Sequence, residues 1–180
     1  IACHISYIEQ LQALVDRTRE RFGRIDVLVC NAALNPYFGP AKDISDEAYD
    51  RIMDANVKSN FRLCNMVLPE MIERRDGAII VVSSIGGLRG NPVIGVYCLS
   101  KAADMQLIRA NCIAPGLVRT DFARALWEDE DILRAAVEGS AMKRIGEPDE
   151  IAGAAVFLAS AAGSFVSGQT LIVDGGRLAV

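Results

Sequence analysis

Four short apolar runs, "IDVLVCNAA", "GAIIVVSS", "IRANCIA" and "TLIVDGG", recur along the chain, and between them stand stretches in which apolar residues return at helical spacing. Continuous runs of this length, rich in Val and Ile and closed by Ser, Asn or Gly, read as strands covered on both faces. Buried strands that alternate with helices leave few ways to satisfy every apolar surface. The expectation is a parallel, doubly wound α/β sheet in three layers, helix on sheet on helix.

The helical segments fit that frame. From Glu9 to Phe22, residues Leu11, Leu14, Val15, Thr18 and Phe22 share one face, charges occupy the other, and Gly23 is placed to stop the helix. Ser45 precedes two acids and a long periodic stretch, so it reads as an N-cap, with Pro69 as a bending point further along. "PDEIAGAAVFLAS" supplies a helix between the last two strands. There is no internal repeat, low-complexity tract or linker, and 180 residues with 51% hydrophobic content suit one core. Residues 1–180 are therefore expected to form a single domain.

Composition excludes several functions. A net charge of −4, with 19 Lys and Arg scattered along the chain, gives no footprint for a phosphate backbone, so no nucleic acid partner is expected. The longest weakly polar run, "IAGAAVFLASAAGSFV", is broken by Gly and Ser and falls short of the ~20 residues that span a bilayer. Without a membrane span or a basic-then-apolar opening, the expected location is cytoplasmic. Cysteines 3, 30, 64, 98 and 112 include no Cys-x-x-Cys pair and read as reduced, structural thiols. His4 is the sole histidine, so no metal site is expected, and a Ser-His-Asp arrangement would need His4 itself as base.

One constellation carries chemistry. Tyr97 and Lys101 lie four apart and so share a helix face. An ammonium beside a phenol favours the phenolate, which suits Tyr97 to acid/base work. The helix follows directly on "AIIVVSS", whose carboxyl end is where open α/β sheets place ligands. Ser84 closes that strand with a hydroxyl able to donate to a carbonyl oxygen.

Taken in order, "CNAA", "DANV", "VVSSIGG", "YCLSK", "APGLVRTDF" and "VDGG" resemble a classical short-chain dehydrogenase/reductase over nearly the whole chain. The strings "NAALNPYFG" and "APGLVRTDFARALW" resemble most the carbonyl reductase and retinal reductase branch. The resemblance implies a Rossmann-like domain that moves hydride between NAD(P)(H), leaning to NADP(H), and a small carbonyl or alcohol substrate. By it, Tyr97 exchanges the proton, Lys101 lowers its pKa and holds the nicotinamide ribose, Ser84 orients the carbonyl, and Asn56 holds a water of a proton relay. Asn31, Ala32 and Ala33 match the turn beside the adenosine ribose, although Cys30 and Ala33 replace the family's Asn and Gly. Pro115, Gly116, Val118 and Thr120 match the loop that contacts the nicotinamide amide, and His4 with Ile5 would flank the adenine. Leu88, Asn91, Phe122 and Trp127 are the expected substrate contacts. A homo-oligomer, dimer or tetramer, is also implied.

Two family features are missing from the sequence. No Gly-rich phosphate turn precedes "CNAA", so on the order of fifty or sixty residues of the usual unit are expected to be lacking. A crossover helix also needs ~2 to 6 residues to reverse before the next strand, and "DMQLIRANC" offers none. The resemblance places a loss of about twelve residues, roughly three helical turns, between Leu107 and Ile108. The favoured reading is a longer enzyme of which these are joined segments, with a shortened gene product as the alternative. Two other functions stay open: a noncatalytic remnant that associates with full-length subunits, and a reductase of carrier-bound 3-oxoacyl chains.

Overall fold

The computed structural model describes residues 1–107 and 110–180. The expected loss between Leu107 and Ile108 therefore lies outside the described residues. Four strands, β1 (Val27–Cys30), β2 (Ala78–Val82), β3 (Asn111–Pro115) and β4 (Thr170–Val173), form one sheet in the order β1-β2-β3-β4. All three pairings are parallel, and Cys30 stands opposite Val81, Val82 opposite Ile113, and Pro115 opposite Val173. This register brings the carboxyl ends of neighbouring strands to one edge, where the loops of a doubly wound sheet hold ligands.

Period-two alternation divides the core. On one face Cys30, Ile79, Val81 and Cys112 meet Leu11 and Val15 of α1 (Ile8–Phe22) and Leu63, Cys64, Val67 and Met71 of α3 (Ser59–Arg74). On the other face Ile80 and Ile113 meet Leu158 of α7 (Pro148–Ala159). Leu11 and Val67 are wholly buried, each worth ~1.5–3 kcal/mol relative to exposure. Helices thus cover both faces of the sheet in a Rossmann-like, three-layer arrangement. The expectation that the first strand is covered on both faces is corrected: Val27 and Val29 are 40% and 47% exposed. Among the described residues α7 packs against β2, β3 and β4, which leaves the second face of β1 open.

Local signals hold where a cap or turn fixes them. Gly23 ends α1 at φ 84°, a left-handed value that favours glycine, and its N–H reaches the Arg19 carbonyl. Phe22, placed by its spacing on the buried face, stands instead in solvent on the last turn. The Ser45 hydroxyl accepts from the Ala48 N–H and caps α2 (Asp46–Met53). Pro69 lies inside α3, and a π-type turn at Asp54–Lys58 precedes that helix. Two helices escaped the sequence reading: α5 (Arg124–Trp127) and α6 (Glu130–Glu138), the latter capped by Asp129 Oδ1 accepting from the Asp131 and Ile132 N–H groups. That Asp followed by two acids was a legible N-cap signal.

Candidate active site

Strand β2 ends at Val82, and the chain then turns over Ile85–Gly87 against α4 (Gly95–Gln106). Close approach fixes this turn. A Cβ on Gly87 would stand 2.7 Å from the Lys101 carbonyl carbon, so only glycine lets the turn lie on the helix backbone at that point. Ser83 Oγ donates to the Lys101 carbonyl at 2.7 Å, a second tie between strand end and helix. The result is that Ser84 faces the Tyr97 phenol, while Gly86 N–H donates to Ser84 Oγ at 3.0 Å.

Tyr97 and Lys101 do share a face, but their surroundings differ. Burial pushes the Tyr97 phenol up to about 12, the Ser84 hydrogen bond opposes this, and the charge of Asp104 adds to it. The Lys101 ammonium sits 5.8 Å from the Tyr97 ring centroid and is engaged elsewhere. Lys101 Nζ donates to the Val82 carbonyl at 2.9 Å and to Asp104 Oδ2 at 3.1 Å. Burial pushes the Asp104 carboxyl up, and the Lys101 ammonium and the Asn60 amide draw it back.

Asn56 lies wholly buried in the π-type turn. Its side-chain oxygen accepts from the Leu34 N–H at 2.8 Å, and its Nδ2 donates to the Leu34 carbonyl and to Ser100 Oγ, each at 3.0 Å. It thereby locks the loop after β1 to α4. Its own carbonyl accepts from Asn60 Nδ2 at 2.7 Å.

The other expected residues fall into two groups. Asn31 and Ala32 are exposed just past β1, Ala33 is half-buried, and Pro115 closes β3, so these stand on the same carboxyl edge. Gly116 packs against Asp174, and Val118 is buried. Thr120 accepts from the Ala123 N–H through its hydroxyl and from the Trp127 indole N–H through its carbonyl, so it organises the turn into α5. Phe122 reaches the site, its ring 6.2 Å from that of Tyr97. Trp127 is anchored by Thr120, with the Arg119 guanidinium 5.4 Å over its ring, which makes it a support for this loop. Asn91 spends its side-chain oxygen on the Val93 N–H, and Leu88 is exposed on the same loop. His4 is exposed in the turn before α1, its ring 4.6 Å from Tyr7, while Ile5 packs against the cluster that contains Cys30.

Three residues escaped the motif reading. Asp104 and Asn60 join Lys101 to the Asn56 turn, and the signal for Asp104 was an acid on the Tyr97–Lys101 face of an otherwise apolar stripe. Asn35 lines a crevice with Tyr37, Ile44, Ile94 and Tyr97, and its buried Oδ1 has no partner. Among the described residues no group of three or more His, Cys, Asp or Glu stands together, and no helix is long and apolar enough to cross a membrane.

A parallel sheet with Ser, Tyr and Lys gathered at its carboxyl edge defines an α/β oxidoreductase of the short-chain type. A family model described as enoyl-(acyl carrier protein) reductase matches residues 1–177. Dehydrogenase/reductase SDR family member 4 of Bos taurus is 39% identical over 191 aligned positions, which cover 98% of this chain and 67% of the relative. The human protein of that name is 38% identical, with 97% and 67% covered. Among solved structures, a gluconate 5-dehydrogenase from Burkholderia cenocepacia, in complex with NADP and tartrate, is 34% identical with a TM-score of 0.92, covering 98% of this chain and 73% of the other. Levodione reductase gives a TM-score of 0.95 at 28% identity, covering 100% and 77%. The chain belongs to the short-chain dehydrogenase/reductase family, and these family member 4 relatives fit the carbonyl reductase and retinal reductase branch that its strings resemble.

Proposed function

We propose that the protein transfers hydride between a nicotinamide dinucleotide and a carbonyl/alcohol pair, with Tyr97 as acid and base. The observation that carries this is the juxtaposition of Ser84, just past the end of β2, with the Tyr97 phenol, and of Lys101 one turn behind it on α4. The donor set suits the nicotinamide and ribose half of the cofactor: hydroxyls of Ser84, Tyr97 and Thr120, and an ammonium with three donors of which two are engaged by Val82 and Asp104. Lys101, Asn31, Ala32, Ala33, Pro115, Gly116, Val118 and Thr120 would hold the group, with His4 and Ile5 toward its adenine. When bound, it supplies or takes the hydride.

The protein's own groups manage the oxygen. Ser84 and Tyr97 donate to the substrate carbonyl, and Tyr97 gives up its proton as the alkoxide forms. A phenol held near 12 is protonated at neutral pH and so stands ready as the acid of carbonyl reduction. Phe122, its ring 6.2 Å from that of Tyr97, favours an apolar substrate body, with Leu88, Asn91 and Trp127 shaping its rim. NADP(H) is the favoured form, by likeness to the NADP-bound relative. Unpaired thiols suit a cytoplasmic setting. A homo-oligomer is part of this reading, supported by Val156 and Phe165 standing exposed.

The test is turnover of the purified protein with NADPH and NADH against a panel of free ketones and aldehydes. Tyr97→Phe is expected to lose ~10²–10⁴-fold in rate. A wild-type protein that binds neither dinucleotide would defeat the proposal in favour of a noncatalytic, subunit-associating role. The description of the matched family model names a carrier-bound acyl substrate, and with it a carrier-bound 3-oxoacyl chain stands as the second reading. Preference for an acyl thioester over free carbonyls in the same assay would select it.

A further inference from the structure

Lys101 is 2% exposed, and a buried ammonium is tolerated only with a counter-charge and full hydrogen bonding. Asp104, three residues on and 1% exposed, supplies that charge through Oδ2. Its other oxygen accepts from Asn60 Nδ2 at 3.0 Å, and the second N–H of the same amide goes to the Asn56 carbonyl. In the π-type turn the Ala55 and Asn56 carbonyls both accept side-chain donors, from Ser59 and Asn60. An unbroken chain of side-chain bonds therefore runs from the Asn56 turn through Asn60 and Asp104 to Lys101, and on to the end of β2.

We propose that Asp104 is a positioning residue: with Asn60 it fixes the Lys101 ammonium behind Tyr97 and couples it to the Asn56 turn, the span that the family resemblance assigns to a water. Among the described residues Asp104 is the one counter-ion of Lys101. Among the described residues, the titratable groups that face this pair are Tyr97 on α4 and the thiols of Cys30 on β1 and Cys112 on β3, with Cys64 of α3 beside the two thiols. Hydrogen bonding with Cys64 and burial push the Cys30 thiol up, and burial pushes Cys112 up to about 11, so both stay neutral near neutral pH. Asp104 thus holds the Lys101 ammonium in place, and its own charge opposes ionisation of Tyr97. The functional consequence rests on the dehydrogenase reading; the coupling of the two side chains does not.

Both parts are tested with wild type, Asp104→Asn, Lys101→Met and the double variant. The first readout is urea unfolding of all four, which needs no turnover. The expected result is strong non-additivity, with the double variant more stable than Asp104→Asn alone because it no longer buries an unpaired ammonium. If Asp104→Asn fails to fold and the double variant folds, the coupling is at its strongest and the proposal is supported. Additive effects, or failure of both to fold, would make Asp104 a merely structural residue and overturn it. The second readout is the pH profile of carbonyl reduction. Loss of the carboxylate should move the alkaline limb, set by Tyr97, toward lower pH, and an unmoved limb would also overturn the proposal. A wild-type protein without turnover defeats the dehydrogenase reading alone, and the unfolding cycle then decides the role of Asp104.

Discussion

Tyr97 and Lys101 are one helical turn apart and belong to one motif, yet the structure treats them in opposite ways. Tyr97 lies at the crevice, in reach of Phe122 and facing Ser84. Lys101 turns inward and is held by Val82 and Asp104. In the function proposed above the first takes the chemistry, and little of the fold depends on its hydroxyl. The second is part of the core, so the fold and the site depend on it together. Shared spacing on a helix thus fixes a common face and leaves the electrostatic surroundings to residues outside the motif.

The largest effects should come from separating these two roles. Lys101→Met leaves Asp104 as an unpaired buried carboxylate, which is expected to cost ~3–5 kcal/mol of stability, together with loss of carbonyl reduction. Tyr97→Phe keeps the ring and gives up one hydrogen bond, so its expected stability cost is only ~0.5–1.5 kcal/mol, against the large loss of rate given above. Urea unfolding and turnover, measured on both variants, check the contrast. Equal stability losses would erase the distinction between the two positions.

Asn60→Leu should be milder. It removes one donor from Asp104 and one from the Asn56 carbonyl while Lys101 still pairs with the carboxylate, and leaving such groups unsatisfied costs ~1–3 kcal/mol. If the buried chain of bonds works as one unit, Asn60→Leu and Asp104→Asn will be non-additive in the same unfolding assay.

How much of this was legible in the sequence depended on whether a residue type carries its own signal. Apolar runs, the Ser45 cap and the Gly23 stop each speak locally, so the sheet and most of its helices could be read. Ser84, Tyr97 and Lys101 were readable because their spacing places them at a strand end and on one helix face. The open face of β1 was not, since the apolar run at Val27 and Val29 looks the same whether or not a helix covers both sides. Nor were Asp104 and Asn60, whose bond crosses from α3 to α4 and has meaning only once those helices are packed. The direction of the Lys101 ammonium was hidden in the same way: spacing shows nearness to Tyr97, while Asp104 and the Val82 carbonyl decide where it points.

Alkaline unfolding gives a smaller effect with a definite sign. The Tyr97 phenol is raised from 10.0 to about 12 in the folded protein, so the unfolded chain ionises first. The contribution of Tyr97 to stability is then full below about pH 10 and is lost as pH rises through about 12. Unfolding midpoints of wild type should fall more steeply across that window than those of Tyr97→Phe. Parallel curves would show that the phenol is not held above its ordinary range.

The smallest expected effect comes from an ion pair at the opposite extreme of exposure. Arg144 grips both oxygens of Glu150, at 2.7 and 2.6 Å, and Glu150 also accepts from the Glu147 N–H that opens α7. The Arg144 hydrogen bond and then the Glu147 N–H hold the Glu150 carboxyl down at about 2, below its ordinary 4.5. A depressed carboxyl contributes stability above pH about 4.5 and loses it as pH falls through about 2. Arg144→Ala should therefore lower the unfolding midpoint slightly and evenly at neutral pH, with the gap from wild type closing toward pH 2, and salt should shrink the gap further. Water screens this pair, whereas the Lys101–Asp104 pair lies beyond its reach. A loss in Arg144→Ala as large as that in Lys101→Met would mean that burial does not separate the two, and the contrast drawn from α4 would fail.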